Sequence, residues 1–229
     1  MRIVWAALLL GAFGVSARAD SITYVMDNVY SGSGTPSGAP KVTIDDGGTS
    51  GSVKFTFDAT GLDSPFEKID KWYFNTAFNI AGGTVTGFTN LSGFVSFPSF
   101  PYSFNNTTGS FKAGGDGYFD LIVNFANSGS GTFKDDEIFS FHVNKPGITA
   151  STFDAWSIPS GSGKGPFQSA VHLQGVGPCG DESVWLSATV RSPVSEPALA
   201  LLGLVAVAAV VFYRSASARR ARAAHARAS

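Results

Sequence analysis

This sequence of 229 residues predicts an all-β fold, an antiparallel β-sandwich of jelly-roll-like type with a C-terminal single transmembrane helix. Three observations predict it. The interior is rich in Gly, Ser, Thr and Phe, with 27 Gly and 20 Phe in the whole chain, which suits strands and turns better than helices. Apolar and polar residues alternate in several short runs, the period of a strand with one buried and one wet face. No long helical period competes before residue 197, whereas an uncharged apolar run follows it.

At the N-terminus, Arg2 precedes an apolar run from Ile3 to Val15, and then Ser16-Ala17-Arg18-Ala19-Asp20. A short positive region, an apolar core of about 13 residues and an Ala-x-Ala site describe a cleavable signal peptide, residues 1–19, cut between Ala19 and Asp20. The run falls short of the roughly 20 apolar residues that span a bilayer. An outer domain over 20–193 follows, long enough to bury a sizeable core.

Within it, Ile22-Thr23-Tyr24-Val25-Met26 predicts a first strand. Val53, Phe55 and Phe57 alternate with Lys54, Thr56 and Asp58, and Phe119, Leu121, Val123 and Phe125 alternate with Asp120 and Asn124. Phe139, Phe141 and Val143 alternate with Ser140 and His142, and Val184, Leu186, Ala188 and Val190 form a late strand. Turn signals separate these runs at Asp45–Gly48, Ala81–Gly83, Gly114–Gly117, Ser128–Gly131 and Ser160–Gly163. About ten short strands at this spacing predict a sandwich. Ser31 to Gly38 reads as a flexible loop.

Charge is divided along the chain. All 17 Asp and Glu lie between Asp20 and Glu196, with nine of the 16 Lys and Arg, so the outer domain is acidic while the tail is basic. An acidic surface without an Arg/Lys stripe excludes nucleic acid as a partner, since phosphate contact needs clustered cations. The single cysteine, Cys179, allows no disulfide framework and reads as a free thiol or a small, partly buried side chain. Without a Cys/His cluster a structural zinc site is excluded, and no cofactor is predicted.

Val194-Ser195-Glu196-Pro197 leads into the uncharged run Ala198 to Tyr213, and the last segment, 214–229, contains Arg214, Arg219, Arg220, Arg222 and Arg227. As a helix the run spans about 24 Å at ~1.5 Å per residue, against a hydrocarbon core of ~30 Å. Interfacial Phe212 and Tyr213 and a snorkelling Arg214 make up the difference. Pro197 suits a first helical turn. The arginines stay cytoplasmic by the positive-inside bias, which puts the outer domain on the side to which the signal peptide sends it.

This tripartite ending, residues 194–229, resembles the PEP-CTERM sorting domain: a short Pro-Glu-Pro-like motif, an apolar helix and an Arg-rich tail. Glu196 and Pro197 match the last two motif positions, and Ser195 stands where the family has its first proline. The resemblance implies recognition by an exosortase, cleavage near the motif, and transfer from an inner-membrane intermediate to the cell surface or extracellular polymer of a Gram-negative envelope. A plain single-pass anchor has the same length arithmetic. The order of short motifs at Gly115–Asp120, Asp136–Phe141, Ile148–Phe153 and Ala170–Gly175 also looks like one common type of PEP-CTERM outer domain, a type that implies no activity.

Three constellations bear on chemistry. Asp116 and Asp120, with Asp135, Asp136 and Glu137 further on, offer oxygen ligands suited to calcium, although EF-hand spacing is absent and a Gly-Asp-Gly turn explains the same residues. His172 and His142 each face away from their apolar neighbours and would serve as bases only beside a nucleophile and an orienting carboxylate, which no motif supplies. Phe88, Phe94, Phe97, Phe100, Tyr102 and Phe104 crowd one region and suit either an aromatic platform for sugar rings or a Phe-filled core. The expectation is a non-enzymatic surface or extracellular-matrix protein with export machinery, exosortase, membrane and exopolysaccharide as partners. The alternative is a secreted carbohydrate hydrolase whose site forms only in three dimensions.

Overall fold

Period-2 runs become strands wherever their apolar phase can be buried, and the computed structural model shows 13 of them among the described residues, 20–77, 79–92, 102–104, 111–159 and 164–191. The chain divides into two units, Met1–Val194 and Ser195–Ser229, and every described residue lies in the first. The strands are β1 (Ser21–Gly32), β2 (Lys41–Asp45), β3 (Ser52–Asp58), β4 (Lys68–Phe74), β5 (Thr84–Ser92), β6 (Tyr102–Phe104), β7 (Phe111–Ala113), β8 (Asp116–Phe119), β9 (Leu121–Asn124), β10 (Phe133–Lys134), β11 (Ile138–Asn144), β12 (Ser169–Val176) and β13 (Glu182–Arg191). Two 3-10 turns, Gly129–Gly131 and Ala150–Phe153, are the helical content of the described residues. The fold is all-β.

Hydrogen bonding follows one antiparallel path, β5-β11-β3-β2-β1-β13-β12-β4-β9-β6, with β10 paired to β4 and β7-β8 forming a separate two-stranded sheet. The path folds back on itself. β3 and β4 are five steps apart along it, about 24 Å in a flat sheet at ~4.8 Å per strand. Yet the rings of Phe55 and Phe74 stand 5.2 Å apart, and those of Phe57 and Trp72 also 5.2 Å. Phenylalanine fills the space between: Phe57 stacks on Phe139 at 4.7 Å, and Phe125 on Phe133 at 4.9 Å. Offset and edge-on ring contacts of this kind add to the area they bury.

The alternation expected for Val53–Asp58 and Phe139–Val143 is present, with the odd-numbered residues inside and Lys54, Thr56 and His142 outside. Ser140, expected on the wet face, is instead buried where β11 runs between Thr56 of β3 and Thr89 of β5. The first strand is longer than Ile22–Met26, and this corrects the reading of Ser31–Gly38 as loop throughout. Ser31 and Gly32 pair with Trp185 and Val184 of β13, because Gly32, at φ 100°, has no Cβ to meet Ser183 O, which a methyl there would approach to 2.2 Å. The run Phe119–Phe125 is likewise two strands and not one. It breaks at Asp120: β8 pairs with β7, whereas β9 pairs with β4 and β6.

Candidate functional site

One bulge sets up the outer face of β4 and β12. Ile69 and Trp72 both point into the core, which strict alternation forbids for residues three apart. The extra residue, Asp70, has no partner opposite it on β12, where Leu173 pairs with Ile69 and His172 with Lys71. A bulge of this kind shifts the phase by one and re-aims the side chains around it. It brings Asp70 to the face that carries His172 and Gln174.

Asp70 is 3% exposed and spends both carboxylate oxygens. His172 Nδ1 is 2.7 Å from Oδ1, and Gln174 Nε2 donates to Oδ2 at 3.1 Å. Lys71 Nζ reaches only to 4.0 Å. The His172 ring stacks on Trp185 at 4.5 Å, and the indole carries Gly114 on it, where a methyl would stand 2.6 Å from Trp185 Cγ. Trp185, partly buried, packs against a small second core that holds Tyr73, Phe119 and Ala170 between the sheet and the β7-β8 hairpin. Because Gln174 commits its amide nitrogen to Asp70, its carbonyl oxygen is left for the space beyond.

That space is a cleft of about 360 Å³ at the β12–β13 end, lined by Gln174, Lys68, Asp181, Glu182 and Ser183 with Phe66 on its rim. Phe66 is 57% exposed. Its placement is firm all the same. A methyl on Gly175 would come 1.8 Å from Phe66 O, and one on Gly180 would come 2.8 Å from Phe66 Cβ and 3.0 Å from Cγ. Both glycines have positive φ, 76° and 67°, so only glycine permits the backbone to approach so closely there. The next residue, Glu67, is 1% exposed and accepts hydrogen bonds from both the amide (2.8 Å) and the hydroxyl of Ser37. Glu182 also lines a neighbouring cleft of about 470 Å³ with Glu67 and Ser37.

A third cleft, about 370 Å³, opens on the outer face of β3 and β11 beside Asp45, Lys54, Ser52 and His142. His142 Nδ1 lies 3.4 Å from Ser52 Oγ, but that hydroxyl donates to Asn144 Oδ1 at 2.7 Å. No activated nucleophile results. Of the other residues singled out in the sequence, Asp120 accepts from the Thr76 amide and hydroxyl at 3.0 and 3.2 Å and closes a turn. Glu137 accepts from the Lys134 amide at 2.9 Å, and burial pushes its carboxyl up. Among the described residues no group of three His, Cys, Asp or Glu could hold a metal. The side chain of Asp116 lies outside the described residues, as do Phe94, Phe97 and Phe100 and the side chains of Tyr102 and Phe104. Phe88 is 41% exposed and tilts on Phe141 at 5.8 Å. Cys179 is free and exposed between β12 and β13.

Asp20 is the first described residue; Ala17 and Ala19, the motif Ser195, Glu196 and Pro197, the apolar run 198–213 and Arg214, Arg219, Arg220 and Arg222 lie outside the described residues. Among the described residues no helix is long and apolar enough to cross a membrane. The orienting carboxylate of His172 and the rim residue Phe66 are what sequence reasoning missed. Asp70 sits in the run Lys68–Phe74, whose bulge has no local signature, and Phe66 stands in a turn where no period applies. The fold and this face define an antiparallel β-domain with an aromatic-rimmed polar cleft. No family model matches the chain, and no curated protein or solved structure shows significant similarity to it.

Proposed function

We infer that this chain is an exported surface or extracellular-matrix protein, sorted by a PEP-CTERM/exosortase-type system, whose outer domain is a two-layered, jelly-roll-like β-sandwich acting as a non-enzymatic binding module. The observation that carries the reading is the fit between segment boundaries and strands. β1 begins at Ser21, directly after the expected first mature residue, and β13 runs to Arg191, the last described residue, ahead of the sorting motif at 194–197. These two strands are neighbours, with Thr23 opposite Arg191. Cleavage at both ends would therefore take no strand from the described sheet. The sandwich reading is supported by the ring contacts between β3 and β4 and by connections that pass repeatedly between the two halves of the path.

Intact-mass measurement of the protein from an export-competent host, with and without an exosortase, tests the delivery. A chain running from Asp20 to the vicinity of Glu196-Pro197, only with the exosortase, is the expected result; residues 20–229 in both hosts would mean a plain anchor. The second reading, a secreted carbohydrate hydrolase, is favoured by one observation, the pair Glu67 and Glu182 in a shared cleft. Against it, both oxygens of Glu67 are engaged in holding the Ser37 loop. Release of reducing ends from polysaccharide, lost in Glu182→Gln, would establish the hydrolase.

A further inference from the structure

The cleft beside Phe66 combines a fixed, half-open aromatic ring with polar groups of both kinds. The ring is backed by Gly180 and its carbonyl is pinned over Gly175, so one side of the side chain rests on backbone while more than half of it meets solvent. A buried side chain would be explained by the core, and a loose one by chance. A large apolar ring backed by one left-handed glycine, on a backbone that a second one approaches, beside a cleft is explained by neither. Around it stand Gln174, whose amide nitrogen is tied to Asp70, with Asp181, Glu182, Ser183 and Lys68. The Lys68 ammonium also donates to Asn127 O, and the Glu182 carboxylate leans toward Gly34 and Gly177 in the neighbouring cleft.

We propose that this cleft binds pyranose units of a neutral glycan. The proposal rests on the reading of the outer domain as a binding module. A sugar ring has an apolar C–H face, which suits the open side of Phe66, and a rim of hydroxyls that both donate and accept. Asp181 and the Gln174 carbonyl accept from those hydroxyls, while Ser183 and the N–H groups that Lys68 keeps beside its bond to Asn127 O donate to them. Two carboxylates against one ammonium leave the cleft negative, on a domain that is acidic throughout. Uronate-rich or sulfated polymers are therefore repelled and neutral ones are not. Trp185 has its ring faces taken by His172 and Gly114, so it offers a sugar less open surface than Phe66 does.

Affinity electrophoresis of the full exported chain, solubilised in detergent, tests the assignment in native gels containing hydroxyethyl cellulose, dextran, alginate or no polymer. Retardation by at least one neutral polymer and not by alginate is expected. Phe66→Ala and Gln174→Ala should each weaken it about tenfold, the range of a truncated hot-spot residue. Phe66→Trp should keep it. Trp156→Ala, which changes an exposed aromatic outside the cleft lining, should leave it unchanged. Equal retardation by alginate overturns the ligand class. Wild-type retardation that survives Phe66→Ala and Gln174→Ala, both with unaltered thermal midpoints, overturns the site and leaves the binding-module reading standing. No retardation in either neutral polymer overturns the glycan assignment, whereas export and sorting are decided separately by the intact mass.

Discussion

The backbone nitrogen of Asp20 donates to Oδ1 of Asp46 at 3.0 Å, and the Asp46 amide returns a bond to Asp20 O at 3.2 Å. Asp46 is 8% exposed and also accepts from the amides of Gly48 (2.9 Å) and Ala150 (3.1 Å), so its carboxylate ties the start of β1 to two loops. Cleavage after Ala19 would turn the Asp20 amide into an ammonium at the same place, and a charge-assisted bond is worth more than a neutral one. A chain beginning at Asp20 should be about 1 kcal/mol more stable than one that retains Ala19 before it. Urea unfolding of the two, each with and without Asp46→Asn, measures this. The difference should vanish when both chains carry Asp46→Asn, and equal stability of the two parents would refute the idea.

Tyr24 is wholly buried and donates its hydroxyl to Phe153 O at 2.7 Å. Burial, with a smaller contribution from the Asp154 charge, holds its phenol far above the ordinary value, and burial followed by Asp70 does the same for Tyr73. The unfolded chain then loses these protons first as pH rises past ~10. Stability present below that pH should fall above it. Tyrosinate absorbance should report both residues only as the fold is lost. Tyr24→Phe should reduce the alkaline slope and, by leaving the Phe153 carbonyl unsatisfied, cost about 1–2 kcal/mol at neutral pH. An unchanged slope in that variant would show the ionisation of Tyr24 to be uncoupled from folding.

Gly175 and Gly82 have nearly the same backbone, φ 76° and 75°, in different surroundings. A methyl at Gly82 meets nothing within 4 Å, whereas one at Gly175 runs into the Phe66 carbonyl. Gly82→Ala should cost only the left-handed conformation, about 1–2 kcal/mol. Gly175→Ala should cost that and displace the 64–67 turn, lowering the thermal midpoint further. The two midpoints, measured side by side, decide it; equal losses would mean that the turn moves away freely.

Removing the carboxylate of Asp70 leaves His172 Nδ1 and the Gln174 amide without their acceptor. Asp70→Ala should lower stability by about 2–3 kcal/mol in urea unfolding, the cost of groups left unsatisfied near a core. Asp70→Asn, which keeps one acceptor oxygen, should lose less. A loss in Asp70→Ala below that of an ordinary surface substitution would mean that the pair contributes little to holding this face.

Much of this was legible in the residues. Alternation located β3, β11 and most of β13, because side chains on a strand take opposite faces whatever the strand pairs with. The same rule put His142 and His172 on the outer face. It failed for Phe119–Phe125, where Asp120 is drawn into a turn by Thr76, a residue far away in sequence. It failed again at Asp70, where the need to bury both Ile69 and Trp72 overrides the local period.

By itself the sequence determined the apolar face of the alternating runs, that these runs would be strands, and that the outer domain is acidic, since these follow from side-chain chemistry and short-range backbone preference. The burial of Glu67 and Asp70 and the exposure of Phe66 did not follow from it. The strand order, the return of β4 over β3, the Asp70–His172–Gln174 chain and the cleft beside Phe66 were decided only by tertiary structure. Each depends on pairing between segments about 20 to 170 residues apart. A period of two carries no information about which strand will lie alongside, and packing of the phenylalanine core makes that choice.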